Sequence, residues 1–283
     1  MQESIVSFKD VSFTYPNGVE ALKNINLKIE TDSLMAIIGE NGSGKTTLAK
    51  LANGLLKPTT GSVIINGTDA KEKQAFELAR EVGYVFQNPS HQLFNGSVKE
   101  ELSVGPRILG LPVDEVNQRI NEASEIFKLD EFLEFNPQDL PFPEKKMVAI
   151  ASVFTMKPRV MILDEPTTGQ DHIGLELVKN TVKKLSALGM TLVMISHDMR
   201  LVAETATRIV VMAHANIIAD GEAGEIFTNA PVMAEARIRP PQVVELGLAL
   251  QREYSGHGPP CLTTDEEIVS LKSVIGAKGH WSN

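Results

Sequence analysis

The sequence predicts a mixed α/β fold with a parallel sheet at its centre, an antiparallel β portion at the amino terminus, a helical insertion and a small C-terminal appendage. Three observations predict it. Short apolar runs, "LMAII", "RVMIL", "TLVMI" and "RIVVM", alternate with helical stretches, the pattern of strands joined by helical crossovers. Near the amino terminus "SIVSF" and "INLKI" alternate apolar and polar residues, as half-buried strands do. Between Pro89 and Met156 the strand pattern gives way to helical segments punctuated by Pro106, Pro112 and Pro137.

The elements follow in order. Leu34 to Ile38 is a continuous apolar strand running into glycines, and Thr46 to Leu55 reads as a helix ending at Gly54. "SVIINGTD" carries Asn66-Gly67, a tight-turn signal, and "VGYVF" is the next strand. After the insertion, Ile173 to Leu188 and Met199 to Ala206 read as helices between the last three apolar strands. Beyond Pro231, "PPQVVELGLAL" and "DEEIVSLKSVI" predict a short helical unit with a Gly-Pro-rich connector. The expected division is a core in two parts, 1–88 and 157–229, a helical subdomain 89–156, and a C-terminal unit 230–283.

Composition narrows the function. The 283 residues, 42% of them apolar, supply a sizeable buried core. A net charge of -9 with no basic run disfavours nucleic acid as a partner. A single cysteine gives no disulfide framework. The start "MQESIVSFKD" lacks the flank and apolar stretch of a signal peptide, and no apolar run reaches the roughly 18 residues of a membrane span. A cytoplasmic location is expected, compatible with docking onto a membrane protein.

The strongest chemical signal is "GENGSGKT", Gly39 to Thr46, which fits G-x-x-x-x-G-K-[ST] directly between a strand and a helix. In such a loop backbone N–H groups curl round phosphate oxygens. Lysine, here Lys45, reaches the β and γ phosphates, and the Thr46 hydroxyl can hold Mg²⁺. The predicted nucleotide contacts are Gly39, Glu40, Asn41, Gly42, Ser43, Gly44, Lys45, Thr46 and Thr47. "VMILDEP" ends a buried strand in two acids: Asp164, placed to hold Mg²⁺ through water, and Glu165, placed to orient or deprotonate a water attacking the γ phosphate. "TLVMISHD" delivers His197 at the C-terminal end of another strand, where ligands bind in open α/β sheets.

Together these residues resemble the ATP-binding-cassette (ABC) ATPases from about Val6 to Phe227. The resemblance adds Tyr15 in "FTYPNG" as an aromatic stacking on adenine, Gln87 in "VFQNP" as a sensor of Mg²⁺ and γ phosphate, Asp171 in the D-loop "TTGQD", and His197 as the switch histidine. It implies a P-loop NTPase fold of the cassette type, with ATP and Mg²⁺ as cofactors. "NPSHQLFNGSVKEELSVGPRILGLP" and the tail are similar to the ATPases of energy-coupling-factor importers of the cobalt and vitamin type. That similarity implies peripheral attachment to the cytoplasmic face of the membrane, a membrane scaffold subunit, a membrane substrate-binding subunit, and a C-terminal pairing domain. Glu100 and Glu101 are candidate contacts for scaffold arginines.

One stretch departs from the family. Its signature, L-S-G-G-Q, falls on Leu140, Pro141, Phe142, Pro143 and Glu144, and the "VAIA" that follows matches at Val148 to Ala151. Proline has neither hydroxyl nor N–H, and Phe142 stands where glycine permits close approach. The expectation is a pairing of unlike subunits, this chain with a second ABC ATPase carrying an intact signature. Two rivals stay open: a non-transport ABC ATPase, and a nucleotide-binding partner with little hydrolysis of its own.

Overall fold

The computed structural model describes residues 4–253 and 258–277. Two sheets form the scaffold. Strands β1 (Ser4–Thr14), β2 (Glu20–Glu30), β4 (Thr60–Ile65) and β5 (Thr68–Asp69) make an antiparallel sheet in the order β2-β1-β4-β5. The second sheet takes β3 (Leu34–Gly39), β6 (Val82–Val85), β7 (Val160–Asp164), β8 (Thr191–Ile195), β9 (Arg208–Ala213) and β10 (Asn216–Gly221). Its order is β10-β9-β3-β8-β7-β6, parallel from β9 to β6 with β10 antiparallel at the edge.

The parallel strands are buried on both faces, and successive side chains divide between two cores. Leu34, Ala36 and Ile38 join Met161, Leu163, Leu192 and Met194 in one, while Met35, Ile37, Val160, Ile162, Val193 and Ile195 join the antiparallel sheet in the other. This is the period-two alternation of a strand with helices on one side and a second sheet on the other. Helix α1 (Lys45–Ala52) lies between the sheets, touching β2, β3, β4 and β7. After the single turn α2 (Ala75–Leu78), helices α3 (Val98–Ile108), α4 (Val113–Phe127) and α5 (Phe142–Phe154) pack on one another as the insertion. Helices α6 (His172–Ala187) and α7 (Met199–Thr205) are the crossovers that follow β7 and β8. The chain ends in α8 (Ala223–Thr228), α9 (Ala230–Glu235), α10 (Gln242–Glu253) and α11 (Thr264–Ala277). The Gly-Pro-rich connector expected before α11 lies partly outside the described residues. Among the described residues no helix is long and apolar enough to cross a membrane.

Three differences from expectation have physical causes. Pro106 does not break its helix: α3 runs through it to Ile108. The proline falls in the last turn, where only one ladder bond is lost, and Gly110 at φ 75 makes the stop. Beside it, a Cβ on Gly105 would stand 2.3 Å from Met156 Cγ, so this turn is packed tightly against the end of α5. Strand β10 was not anticipated, because the turn that creates it uses His214 and Ala215, both at positive φ, in place of Asn-Gly. Glu101 is no surface contact. It is 3% exposed, and its Oε2 accepts from the N–H groups of Phe94 and Asn95 and from Asn95 Nδ2. It holds the loop before α3 from within, while Glu100 remains exposed.

Candidate functional site

The site stands at the C-terminal ends of β3, β7 and β8. The chain leaves β3 through Gly39 and enters α1 at Gly44, whose φ of 106 only glycine adopts freely. A Cβ on Gly44 would lie 2.4 Å from the Ala21 carbonyl, and one on Gly39 2.2 Å from that of Met212. These glycines allow the loop to close over the strand ends. Lys45 folds back, donating from Nζ to the carbonyls of Gly39 (2.8 Å) and Glu40 (2.9 Å). Burial lowers its pKa, with Glu165, Asp164 and Glu40 opposing. Arg237, from the segment after α9, reaches the Glu40 carboxylate at 3.0 Å.

The two acids at the end of β7 point to different neighbours. Asp164, 5% exposed, places Oδ1 3.5 Å from Thr46 Oγ1 and accepts the Tyr84 hydroxyl on Oδ2. Glu165 turns away at φ 47, its N–H bonded to the Ile195 carbonyl. Its Oε2 accepts from the His197 N–H at 3.2 Å, and its Oε1 lies 3.2 Å from His197 Nε2. Burial pushes Glu165 up to about 7, against the lowering effects of the His197 N–H and Lys45. Burial, then Lys45, lowers His197. At neutral pH the histidine is therefore neutral and the glutamate is poised to take or release a proton.

Of the residues expected from sequence, Tyr15, Asn41, Gly42, Gly44, Lys45, Thr46, Thr47, Gln87, Glu165 and His197 line one cavity of about 450 Å³. Gly39, Glu40, Ser43 and Asp164 are outside that lining. Tyr15 is tied to the loop's helix by a 2.9 Å hydrogen bond between its hydroxyl and Thr47 Oγ1. The cavity also takes in Val19, Glu20, Ala21 and Thr168, which sequence reasoning missed. Asp171 caps α6 through the Gly174 N–H at 2.8 Å. Two further residues had no motif to announce them. Tyr84 bonds Asp164, and Lys146, fully buried, donates from Nζ to the carbonyls of Phe86 and Gln87.

The donor set fits a nucleotide with a divalent cation. The Ser43 hydroxyl is buried within the loop with no hydrogen-bond partner, and space around Gly42 is open where a Cβ would sit. An orphaned donor in a glycine cradle beside Lys45 suits phosphate oxygens. Thr46, Gln87 and Asp164 supply the hard oxygen ligands that magnesium takes.

The signature stretch lies at the start of α5. Pro141 is the residue before the helix, with no side-chain cap, and its carbonyl accepts the Lys145 N–H. Phe142 is seated on the D-loop: a Cβ on Gly169 would meet its ring at 3.1 Å. Glu144 Oε2 is buried without a partner.

A phosphate-binding loop, two acids and a histidine on adjacent parallel strand ends, with a helical insertion beside them, define a nucleoside-triphosphate-hydrolysing cassette. The ABC transporter family model matches residues 22–168, and the chain belongs to that family as an ABC ATPase. It is 40% identical over 274 residues to the energy-coupling factor transporter ATP-binding protein EcfA of Methanothermobacter thermautotrophicus, covering 96% of this chain and 88% of that one. It is 41% identical over 250 residues to an ABC transporter ATP-binding protein of Caldanaerobacter subterraneus subsp. tengcongensis. That match covers 88% of this chain but 44% of the relative, so the chain spans under half of that protein's length. Among solved structures it resembles cbiO1 from Clostridium perfringens, part of the ABC transporter complex cbiONQ, with a TM-score of 0.75, 32% identity, and coverage of 87% of this chain and 99% of that one. The chain is an ABC ATPase of the energy-coupling-factor type.

Proposed function

We propose that this chain is the ATP-hydrolysing subunit that drives uptake of a vitamin or a transition-metal ion through separate membrane subunits. It works at the cytoplasmic face of the membrane, paired with a second, unlike ABC ATPase whose signature is intact. A membrane scaffold subunit and a membrane substrate-binding subunit complete the assembly, and segment 230–283 contributes to pairing. The names of its relatives, an energy-coupling factor transporter protein and part of cbiONQ, support this reading. The observation that carries it is the contrast within one chain. Glu165, His197 and Lys45 form a charge-handling group around one cavity, while the signature positions hold Pro141, Phe142, Pro143 and Glu144.

In this reading Tyr15 packs on adenine, and Gly39 to Thr47 wrap the phosphates with Lys45 at the β and γ groups. Glu165 accepts the proton of the attacking water, and the neutral His197 holds the Glu165 carboxylate in place and faces the γ phosphate. Thr46, Gln87 and Asp164 would hold magnesium, partly through water, and the ion would supply charge neutralisation at the phosphates. The partner's signature closes this site. The other site faces this chain's proline-rich stretch and turns over slowly, since lost donors at developing charge typically cost about a hundredfold or more.

The test is a pair of substitutions in the reconstituted transporter. Glu165→Gln should abolish nearly all ATPase activity and uptake, and the equivalent change in the partner should leave much of both. The reverse outcome overturns the assignment. A purified homodimer of this chain hydrolysing ATP at the rate of the full transporter overturns the pairing.

A further inference from the structure

Asp164 has a hydrogen-bond partner that none of the family motifs supplies. Tyr84 donates its hydroxyl to Oδ2 at 2.5 Å, while Oδ1 lies 3.5 Å from Thr46 Oγ1. The carboxylate thus stands between a phenol on one side and the threonine of the phosphate loop on the other. Both residues are buried, Tyr84 at 7% exposure and Asp164 at 5%. The sheet register brings them together. Tyr84 stands opposite Ile162 in the β6–β7 ladder, so its ring shares a face with Ile162 and, one alternation further, Asp164. That two-residue step is about 6.6 Å, a distance a tyrosine side chain spans. The ring is held edge-on by Phe86 at 5.1 Å between centroids. It lies in the core shared with Val82, Val160, Ile162 and Val193. Burial, then the neighbouring carboxylate, raises the phenol's pKa, so it remains a donor.

We propose that Tyr84 is a positioning residue for the cation-holding carboxylate: its hydroxyl fixes the plane of Asp164 and keeps Oδ1 turned toward Thr46, where a nucleotide-bound divalent cation would be shared. The inference rests on the reading of Asp164 as a magnesium-holding acid. A carboxylate anchored at one oxygen loses rotational freedom before the cation arrives, and the second oxygen is presented in one direction. Removing the hydroxyl leaves the acid in the same place with its plane unfixed. Outer-sphere partners of this kind typically change metal affinity about 10-fold to 100-fold when removed.

Tyr84→Phe keeps the ring and deletes only the donor. Mn²⁺ serves as the probe, its binding to the full chain loaded with a non-hydrolysable ATP analogue followed by electron paramagnetic resonance. The expected result is Mn²⁺ affinity lowered about tenfold, with affinity for the analogue in EDTA as in the unaltered chain and a single cooperative unfolding transition retained. Unchanged Mn²⁺ affinity overturns the inference. An equal fall in analogue affinity in EDTA also overturns it, because Tyr84 would then shape the nucleotide site as a whole. Asp164→Asn, measured alongside, separates the two levels. If it weakens Mn²⁺ and Tyr84→Phe does not, only the positioning role falls; if it leaves Mn²⁺ binding intact, the reading of Asp164 falls and takes the inference with it.

Discussion

Lys146 gives the sharpest physical prediction in this chain, because it is a fully buried lysine with no carboxylate bonded to its ammonium group. Its Nζ donates to two backbone carbonyls, those of Phe86 and Gln87, on the loop that carries Gln87 out of β6. Carbonyl dipoles compensate an ammonium only in part. Burial accordingly lowers its pKa from 10.5 to about 8, with Asp164 and Glu165 pulling the other way. In the unfolded chain the same lysine ionises at its ordinary value.

The sign of the stability effect follows from proton counting. Below about pH 8 both folded and unfolded chains carry the charged lysine, and the folded state bears the whole desolvation penalty. Between about 8 and 10.5 the unfolded state binds more protons than the folded one, so stability rises with pH. Integrated for one group, the rise amounts to about 2 kcal/mol between about pH 7 and about pH 9.5, and approaches about 3 kcal/mol at the upper limit. Lys146→Met has nearly the same length and no proton to lose. Urea unfolding of both proteins across this range should show the unaltered chain gaining about 2 kcal/mol relative to Lys146→Met. Stabilities that run parallel across the range would refute the argument. They would mean that the ammonium is solvated in the native protein and that the contact with the Gln87 loop is not a buried one.

Three further outcomes are expected. Lys45→Ala should weaken ATP binding at least about tenfold in a direct titration, since it removes the cation that the proposed reading sets against the phosphates. With Glu165 at about 7, ATPase turnover should fall as pH drops through that value, the base becoming protonated, while Glu165→Gln should show no such limb in its residual rate. Glu101→Ala should destabilise the chain by on the order of 3 kcal/mol in chemical denaturation, because two backbone N–H groups and the Asn95 amide lose their acceptor together.

The glycine loop, the acidic strand end and the histidine at the end of β8 were legible as one cluster because each is a local pattern at the C-terminal end of a buried strand. Glycines between an apolar strand and a helix leave the chain few alternatives, and a buried parallel strand has only its C-terminal end to offer a ligand. Residues whose importance comes from pairing across the sheet were not legible. Tyr84 reads as an ordinary strand aromatic until the β6–β7 register sets it opposite Ile162 and so beside Asp164. Lys146 lies in "PEKKM", two lysines in succession at a helix start; nothing local says that the second lysine turns inward while Lys145 stays partly exposed and bonds the Gln138 carbonyl. Glu101 failed the same way, since an acid in a helix's first turn suits the helix dipole whether it faces solvent or the core. The hairpin to β10 was hidden by turn chemistry, with His214 and Ala215 where asparagine and glycine would have announced it.

The proline-rich start of α5 keeps the helix while removing backbone donors from its first turn. A helix amino terminus attracts phosphate through its unpaired N–H groups. Here Pro141 and Pro143 have none, and the Lys145 N–H is spent on the Pro141 carbonyl, which leaves only Phe142 and Glu144 to donate within the first turn. Helix entry is nonetheless preserved, because proline's fixed φ suits a first turn and the apolar run from Met147 to Ala151 is buried in the main core. Phe142 then occupies the D-loop side of this stretch, its ring against Gly169. A glycine there would leave that space to backbone or ligand. The same chain therefore holds Glu165 and His197 on strand ends whose geometry is fixed by the sheet, and places prolines without N–H groups at a helix end whose packing is kept. In a symmetric pair both sites would inherit the loss; opposite an intact signature only one would. The retention of Glu165 and His197 in bonded contact is what favours the unlike pair.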